Sequence, residues 1–274
     1  VVDQTGPQKQ TLMRILLAAK YVPTGSRPIG GVQSWIATVR AELERMGNNI
    51  VEEWQPGFPM PTGGFDLGIF ANMGLTGHLA ALCKRTVCVS HGIIEPERPG
   101  EADRVLFVSE GVRGHWGGNG AIIRQPIDAA FWRPTVAQRR GVVRYSYRGS
   151  PTQCAIIAEA LEMPYRHIMD ATPGDARDIL AGAALVFASG RAALEAMACG
   201  APTVIYDHRQ AYQGPLMDDD LHRQMRNSYS GRCGIDPTLN DLLGAAGRAM
   251  EAGSRREWVE KYHDAREIVE ELIT

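Results

Sequence analysis

The stretch Leu185–Asp207, LVFASGRAALEAMACGAPTVIYD, decides how the chain is read. Its first four residues are a short apolar run bounded by Ser189-Gly190, which predicts a buried strand. Arg191–Cys199 then carries helix-forming residues and is stopped by Gly200. Pro202 precedes a second apolar run, Thr203–Tyr206, read as the next strand. Strand, small-residue turn, helix and strand in 23 residues make a unit of a parallel α/β sheet. The helix start exposes backbone N–H groups, and glycine lets an anion approach them. Glu195 lies four residues after Arg191 and shares its helix face, so the two form an ion pair, or Glu195 accepts hydrogen bonds from two ribose hydroxyls of a nucleotide.

The same alternation extends outward in both directions. In the second half, Gly141–Tyr147 reads as a strand, followed by a helix from Thr152 to about Leu161 and a strand over Tyr165–Met169. In the first half, Arg14–Tyr21 (RILLAAKY) is a strand, Pro23–Gly31 a turn, and Val32–Met46 a helix ended by Gly47. Asp66–Ala71, Thr86–Ser90 and Arg104–Val108 are further strands. The segment RQPIDAAFWRP, with Pro126 and Pro134, reads as a linker. The fold class expected is therefore α/β, with two facing Rossmann-like domains built on parallel sheets. Residues 13–133 form the first, 134–254 the second, and 255–274 a closing helix that either caps the second or crosses back onto the first. Met13 is read as close to the natural start, with the first twelve residues foreign to the protein.

Bulk numbers narrow the class. The chain has 274 residues, 22 % of them charged, and a formal net charge of −2, which argues against a broad basic field for gripping nucleic acid. A local cationic face in the first domain (Lys84, Arg85, Arg98, Arg104, Arg113, Arg124) keeps a nucleic-acid acceptor open as a weaker alternative. Five cysteines, with no CxxC pair, read as free thiols in a reducing compartment, so a cytoplasmic location is expected. No run of eighteen apolar residues exists. The acidic triplet Asp218–Asp220 reads as a solvated helix start rather than a metal site, and no metal is expected.

The run EAMACGAPTV resembles the donor-nucleotide segment of glycosyltransferases of the GT-B fold. The resemblance covers roughly Met13 to the C-terminus, and the chain is short for that fold. It implies transfer of a sugar from a nucleotide diphosphate sugar, with a UDP-sugar favoured, to a hydroxyl acceptor: a glycan, a small molecule or a lipid-linked sugar. By this resemblance Glu195 binds the ribose, while Ser189, Gly190, Arg191 and Ala192 lie near the diphosphate or donor sugar. Gly30 and Gly31, in GGVQ, resemble the glycine-rich first loop of the retaining members of family 4. Arg148, with Ser150 beside it, occupies the position of a diphosphate-neutralising cation, where charge on the leaving group builds. The family's later Lys is absent, leaving Arg144 or Arg191 as substitutes. His91, at the end of TVCVS, matches a first-domain histidine that faces the donor sugar; in an inverting enzyme it is instead a general base. Gln33 and Trp116 are acceptor candidates, whereas Trp35 at helical spacing reads as core.

One departure matters. Retaining relatives carry an acidic residue eight positions before the ribose glutamate, and that position here is Phe187. SGRAALEA also resembles inverting GT-B enzymes. The loop and linker favour a retaining outcome. An inverting transferase, a sugar-nucleotide epimerase of the same fold and a non-catalytic nucleotide-binding module stand as alternatives.

Overall fold

The computed structural model describes residues 12–274 except 21–29, 48, 74–76, 136–138, 147–151, 170, 208–219 and 232–236. The first domain holds six parallel strands: β1 (Met13–Ala19), β2 (Asn49–Trp54), β3 (Leu67–Ala71), β4 (Thr86–Ser90), β5 (Arg104–Phe107) and β6 (Ala121–Ile122). Their order across the sheet is β2-β1-β3-β4-β5-β6. Helices α1 (Gly31–Arg45), α2 (Gly77–Ala80) and α3 (Glu110–Trp116) connect them. Strand β1 shows why the apolar run is continuous: Ile15, Leu17 and Ala19 pack under α1, while Leu16 and Ala18 pack on the opposite face with Phe70 and Leu79. Both faces are covered, so both parities must be apolar. Strand β2 (NIVEEW) was not expected; two consecutive glutamates on an edge strand break the apolar pattern that reveals the inner strands.

The second domain repeats the scheme with β7 (Val142–Tyr145), β8 (Tyr165–Ile168), β9 (Leu185–Ala188) and β10 (Thr203–Ile205), in the order β10-β9-β7-β8 and all parallel. Helices α4 (Thr152–Ala160), α5 (Pro173–Ala181) and α6 (Arg191–Ala198) alternate with these strands, and α7 (Leu221–Arg226) and α8 (Leu239–Ala252) follow. Ile127 and Trp132 of the linker belong to this second core.

The closing segment is two helices rather than one: α9 (Arg256–Tyr262) and α10 (Ala265–Ile273). The break is built, not frayed. The backbone N–H of Ile127 donates to the His263 carbonyl at 2.8 Å, and Asp264 caps α10 by accepting from the Glu267 amide at 3.0 Å. Val259 of α9 is buried in the second core, whereas Ile268, Val269 and Leu272 of α10 are buried in the first. The chain therefore crosses between domains twice, and the crossings hydrogen-bond to each other. Among the described residues no helix is long and apolar enough to cross a membrane.

Candidate functional site

In each sheet the chain leaves the first strand to one side and later returns to the other, so the crevice beyond the strands' C-terminal ends is where a ligand fits. The two crevices share one cleft of about 490 Å³ between the domains. Gly31, Val32 and Ser34 at the start of α1 and His91 after β4 form one wall. Tyr145 at the end of β7, Ser189 to Ala192, Glu195 and Asp207 form the other.

The start of α6 is shaped by Gly190. Its φ of 60° and ψ of −138° lie where side-chain-bearing residues are strained. Its own N–H is already spent on the Tyr229 carbonyl, at 2.6 Å. An anion at this helix start would thus meet the amides that follow, those of Arg191 and Ala192. Ser189 Oγ donates to Asp207 at 3.4 Å.

Glu195 is buried, and each carboxylate oxygen has one protein donor. Arg191 Nε donates to Oε1 at 2.9 Å and the Tyr145 hydroxyl to Oε2 at 3.0 Å. Burial pushes its pKa up, against the pull of the Arg191 charge and the two hydrogen bonds. Burial, with the Glu195 charge next, raises Tyr145 far above its usual range, so it stays a hydrogen-bond donor. Each carboxylate oxygen can accept a second hydrogen bond, so the pair keeps acceptor capacity for two hydroxyls.

The Arg191 guanidinium is committed to the protein. Beyond Glu195, it donates to the Pro126 carbonyl at 2.7 Å and to Thr38 Oγ1 of α1 at 2.6 Å. Arg144 is likewise buried in its sheet, donating to the Tyr206 carbonyl at 2.6 Å. Neither cation extends freely into the cleft as a stand-in for the missing lysine. Arg148 and Ser150 lie outside the described residues, as do Asp218 and Asp219, while Asp220 pairs with Arg223.

His91 faces the cleft with its ring edge-on to Trp35, at 4.9 Å between centroids. Its Nε2 is buried and has no partner. Burial, and then the nearby Arg191 charge, push its pKa down to about 3, so the ring is neutral at working pH. Trp35 is fully buried, as its spacing implied. Gln33 and Trp116 do not line the cleft. Gln33 Oε1 accepts from the Gly30 amide at 2.6 Å, closing the start of α1, and Trp116 Nε1 donates to the Gly92 carbonyl at 2.8 Å. Gly30 stands behind Gly31 and does not line the cleft either.

Cleft residues that the sequence did not single out include Thr38, Tyr145 and Asp207. Asp207 had a usable signal, since it directly follows a strand and so sits at the sheet's ligand-facing edge. Thr38 had none, because only domain packing brings it to Arg191, 153 residues away. Among the described residues, no group of three His, Cys, Asp or Glu is placed to hold a metal ion.

A scan against protein-family models finds no match, nor does a search of curated protein sequences. Solved structures do match. One is an alpha-glucosyltransferase in complex with UDP and a 13-mer DNA containing a HMU base, with a TM-score of 0.51 and 13 % identity over 95 % of this chain and 98 % of that one. Another is sucrose-phosphate synthase from Thermosynechococcus elongatus, with a TM-score of 0.56 and 11 % identity over 95 % of this chain and 97 % of that one. At such identities the likeness is one of fold.

Proposed function

We infer that this chain, which has the GT-B fold of two facing Rossmann-like domains, is a glycosyltransferase that moves a sugar from a nucleotide diphosphate sugar to a hydroxyl acceptor. The observation that carries this reading is the pre-set Glu195 carboxylate beside the Gly190-shaped start of α6, inside the interdomain cleft. A hydrogen-bond acceptor already fixed in place loses little freedom when it takes the ribose hydroxyls. The first amides of α6 would take the diphosphate, and a helix start stabilises the charge that grows on it as the glycosidic bond breaks. Arg148 remains the proposed cation at that point. Neutral His91, whose buried Nε2 lacks a partner, suits a hydroxyl of the donor sugar.

A UDP-sugar is the favoured donor, in keeping with the UDP bound to the first structural relative. That relative's DNA is not carried over as an acceptor: the net charge of −2 supplies no broad basic field, so a glycan, small molecule or lipid-linked sugar is preferred. The test compares UDP with 2′,3′-dideoxy-UDP by calorimetry. Wild type should lose about tenfold to hundredfold in affinity for the dideoxy form, and Glu195→Gln should lose most of that discrimination. Equal discrimination in both proteins would remove the ribose role. Nucleotide release measured with and without acceptors separates transfer from epimerisation, and tight binding with no turnover marks a non-catalytic module.

A further inference from the structure

We propose that Glu97 is the general base of this transfer and that the reaction inverts the anomeric centre. The proposal rests on the transferase reading above and gives its first-domain wall a chemical role.

Among the described residues, four carboxylates line the cleft: Glu97, Asp128, Glu195 and Asp207. Asp128 pairs with Arg45 at 2.6 Å and Glu195 with Arg191 at 2.9 Å, and Asp207 lies in the field of buried Arg144. Glu97 differs. Its contacts are neutral donors, Asn72 Nδ2 at 3.1 Å and, at the edge of hydrogen-bonding range, the Ile94 amide at 3.5 Å. Among the described residues no salt bridge neutralises it, so its charge is left for what enters the cleft.

The surrounding loop is built to hold this carboxylate. Ser90 Oγ donates to the Glu97 carbonyl at 2.8 Å, and the Glu97 amide to the Ile94 carbonyl at 2.8 Å. Asn72 is buried with a φ of 51°, a left-handed conformation that asparagine adopts more readily than other side-chain-bearing residues. From there its two amide atoms serve the same loop: Oδ1 accepts from the His91 backbone and Nδ2 donates to Glu97. Gly92 completes the fit, because a Cβ there would fall 1.8 Å from Glu97 Oε2.

The placement points to inversion. The diphosphate departs toward α6 in the second domain, and Glu97 stands on the first-domain wall across the cleft. The acceptor oxygen attacks the anomeric carbon from the Glu97 side. As that bond forms, the hydroxyl proton passes to a Glu97 oxygen. The bond from the anomeric carbon to the phosphate oxygen breaks, and its electron pair leaves with the nucleoside diphosphate. His91 is unsuited to this role, since its burial opposes protonation. The retaining outcome expected from the first loop and linker gives way to inversion in this account.

The test needs no knowledge of the natural acceptor. UDP-glucose, UDP-galactose, UDP-N-acetylglucosamine and GDP-mannose are incubated with the full chain, water serves as acceptor, and nucleotide release is followed. With the best donor, NMR should show the β anomer of the sugar before mutarotation where the donor is α. Glu97→Gln should lower release by about 10²- to 10⁴-fold while UDP affinity stays within about twofold. Gly92→Ala, which displaces the carboxylate, should lower release without weakening UDP. Azide should restore turnover in Glu97→Ala and yield the glycosyl azide, a result that mere structural support cannot produce. Retention of configuration, or Glu97→Gln turnover within about threefold of wild type, overturns the assignment while leaving the transferase reading intact. Failure of wild type to release nucleotide from any of the four donors, both in water and with glycan, small-molecule and lipid-linked acceptors added, overturns the transferase reading, and this assignment with it.

Discussion

Arg191→Met is expected to destabilise the protein by about 3–5 kcal/mol, a large share of the stability of an ordinary domain. The cost comes from what is left behind. Arg191 and Glu195 are both buried, and removing the cation strands a carboxylate whose remaining partner is the Tyr145 hydroxyl. The Thr38 hydroxyl and the Pro126 carbonyl lose their donor at the same time. Chemical denaturation measures the loss. The pair's share is isolated by adding Glu195→Gln: the double variant should be less destabilised than the sum of the two single ones. The effect should change little between low and high salt, because a buried pair is weakly screened. Thr38→Val, which removes one of the three bonds, should cost about 1 kcal/mol. Since Arg191 ties α6 of the second domain to α1 of the first, small-angle scattering should show a larger radius of gyration for Arg191→Met. A variant as stable and as compact as wild type would mean that this cluster does not hold the domains together.

Stability should also fall steeply in mild acid. His263 is buried where the two interdomain crossings meet: its Nδ1 faces the Gln125 carbonyl at 2.9 Å and its Nε2 the Tyr229 hydroxyl at 2.9 Å. The Gln125 carbonyl can only accept, so Nδ1 carries the imidazole proton and Nε2 accepts from the Tyr229 hydroxyl, which itself accepts from Trp258 Nε1 at 2.7 Å. A second proton on Nε2 would set two donors against each other. Burial, with the Arg124 and Arg191 charges, lowers the His263 pKa to about 4, and His91 is lowered to about 3. Both folded values lie below that of the unfolded chain, about 6.5. The unfolded state therefore binds more protons through this window. The stabilisation is fully present above about pH 6.5 and is lost as the pH falls toward 4. Each histidine contributes a loss of about 2 kcal/mol between pH 6.5 and 5. Thermal melts across that range check it, and His263→Gln should reduce the slope by about half. A melting temperature flat from pH 7 to 5 would show that these rings are protonated without cost.

The fold was legible because its signals are local. Buried strands announce themselves as short apolar runs, and helices end where Gly47 and Gly200 adopt positive φ. The misses have local causes too. The edge strand β2 carries glutamates, and the break between α9 and α10 rests on Asp264, a cap concealed inside a stretch with continuous amphipathic spacing. In the site, the Glu195 helix and the His91 strand end were found by position along the chain. Gln33 and Trp116, named as acceptor candidates, instead bond to the backbone of Gly30 and Gly92 away from the cleft lining, and no composition reveals such backbone partners.

Sequence alone therefore determined the apolar strands and the helices between them, the parallel sheets and the glycine that opens α6, but not the edge strand β2 or the break between α9 and α10, since backbone preference and burial act over a few residues. Tertiary structure alone decided what the charged side chains do. Whether a carboxylate is neutralised or left with its charge depends on which distant groups the domains bring beside it. Arg191, four residues from Glu195, was read as its ion-pair partner or as a group near the diphosphate; the pair forms, and packing turns the rest of the guanidinium to Thr38 and Pro126. Glu97 gained its place from Asn72, 25 residues earlier, and only the folded loop shows that no cation accompanies it among the described residues.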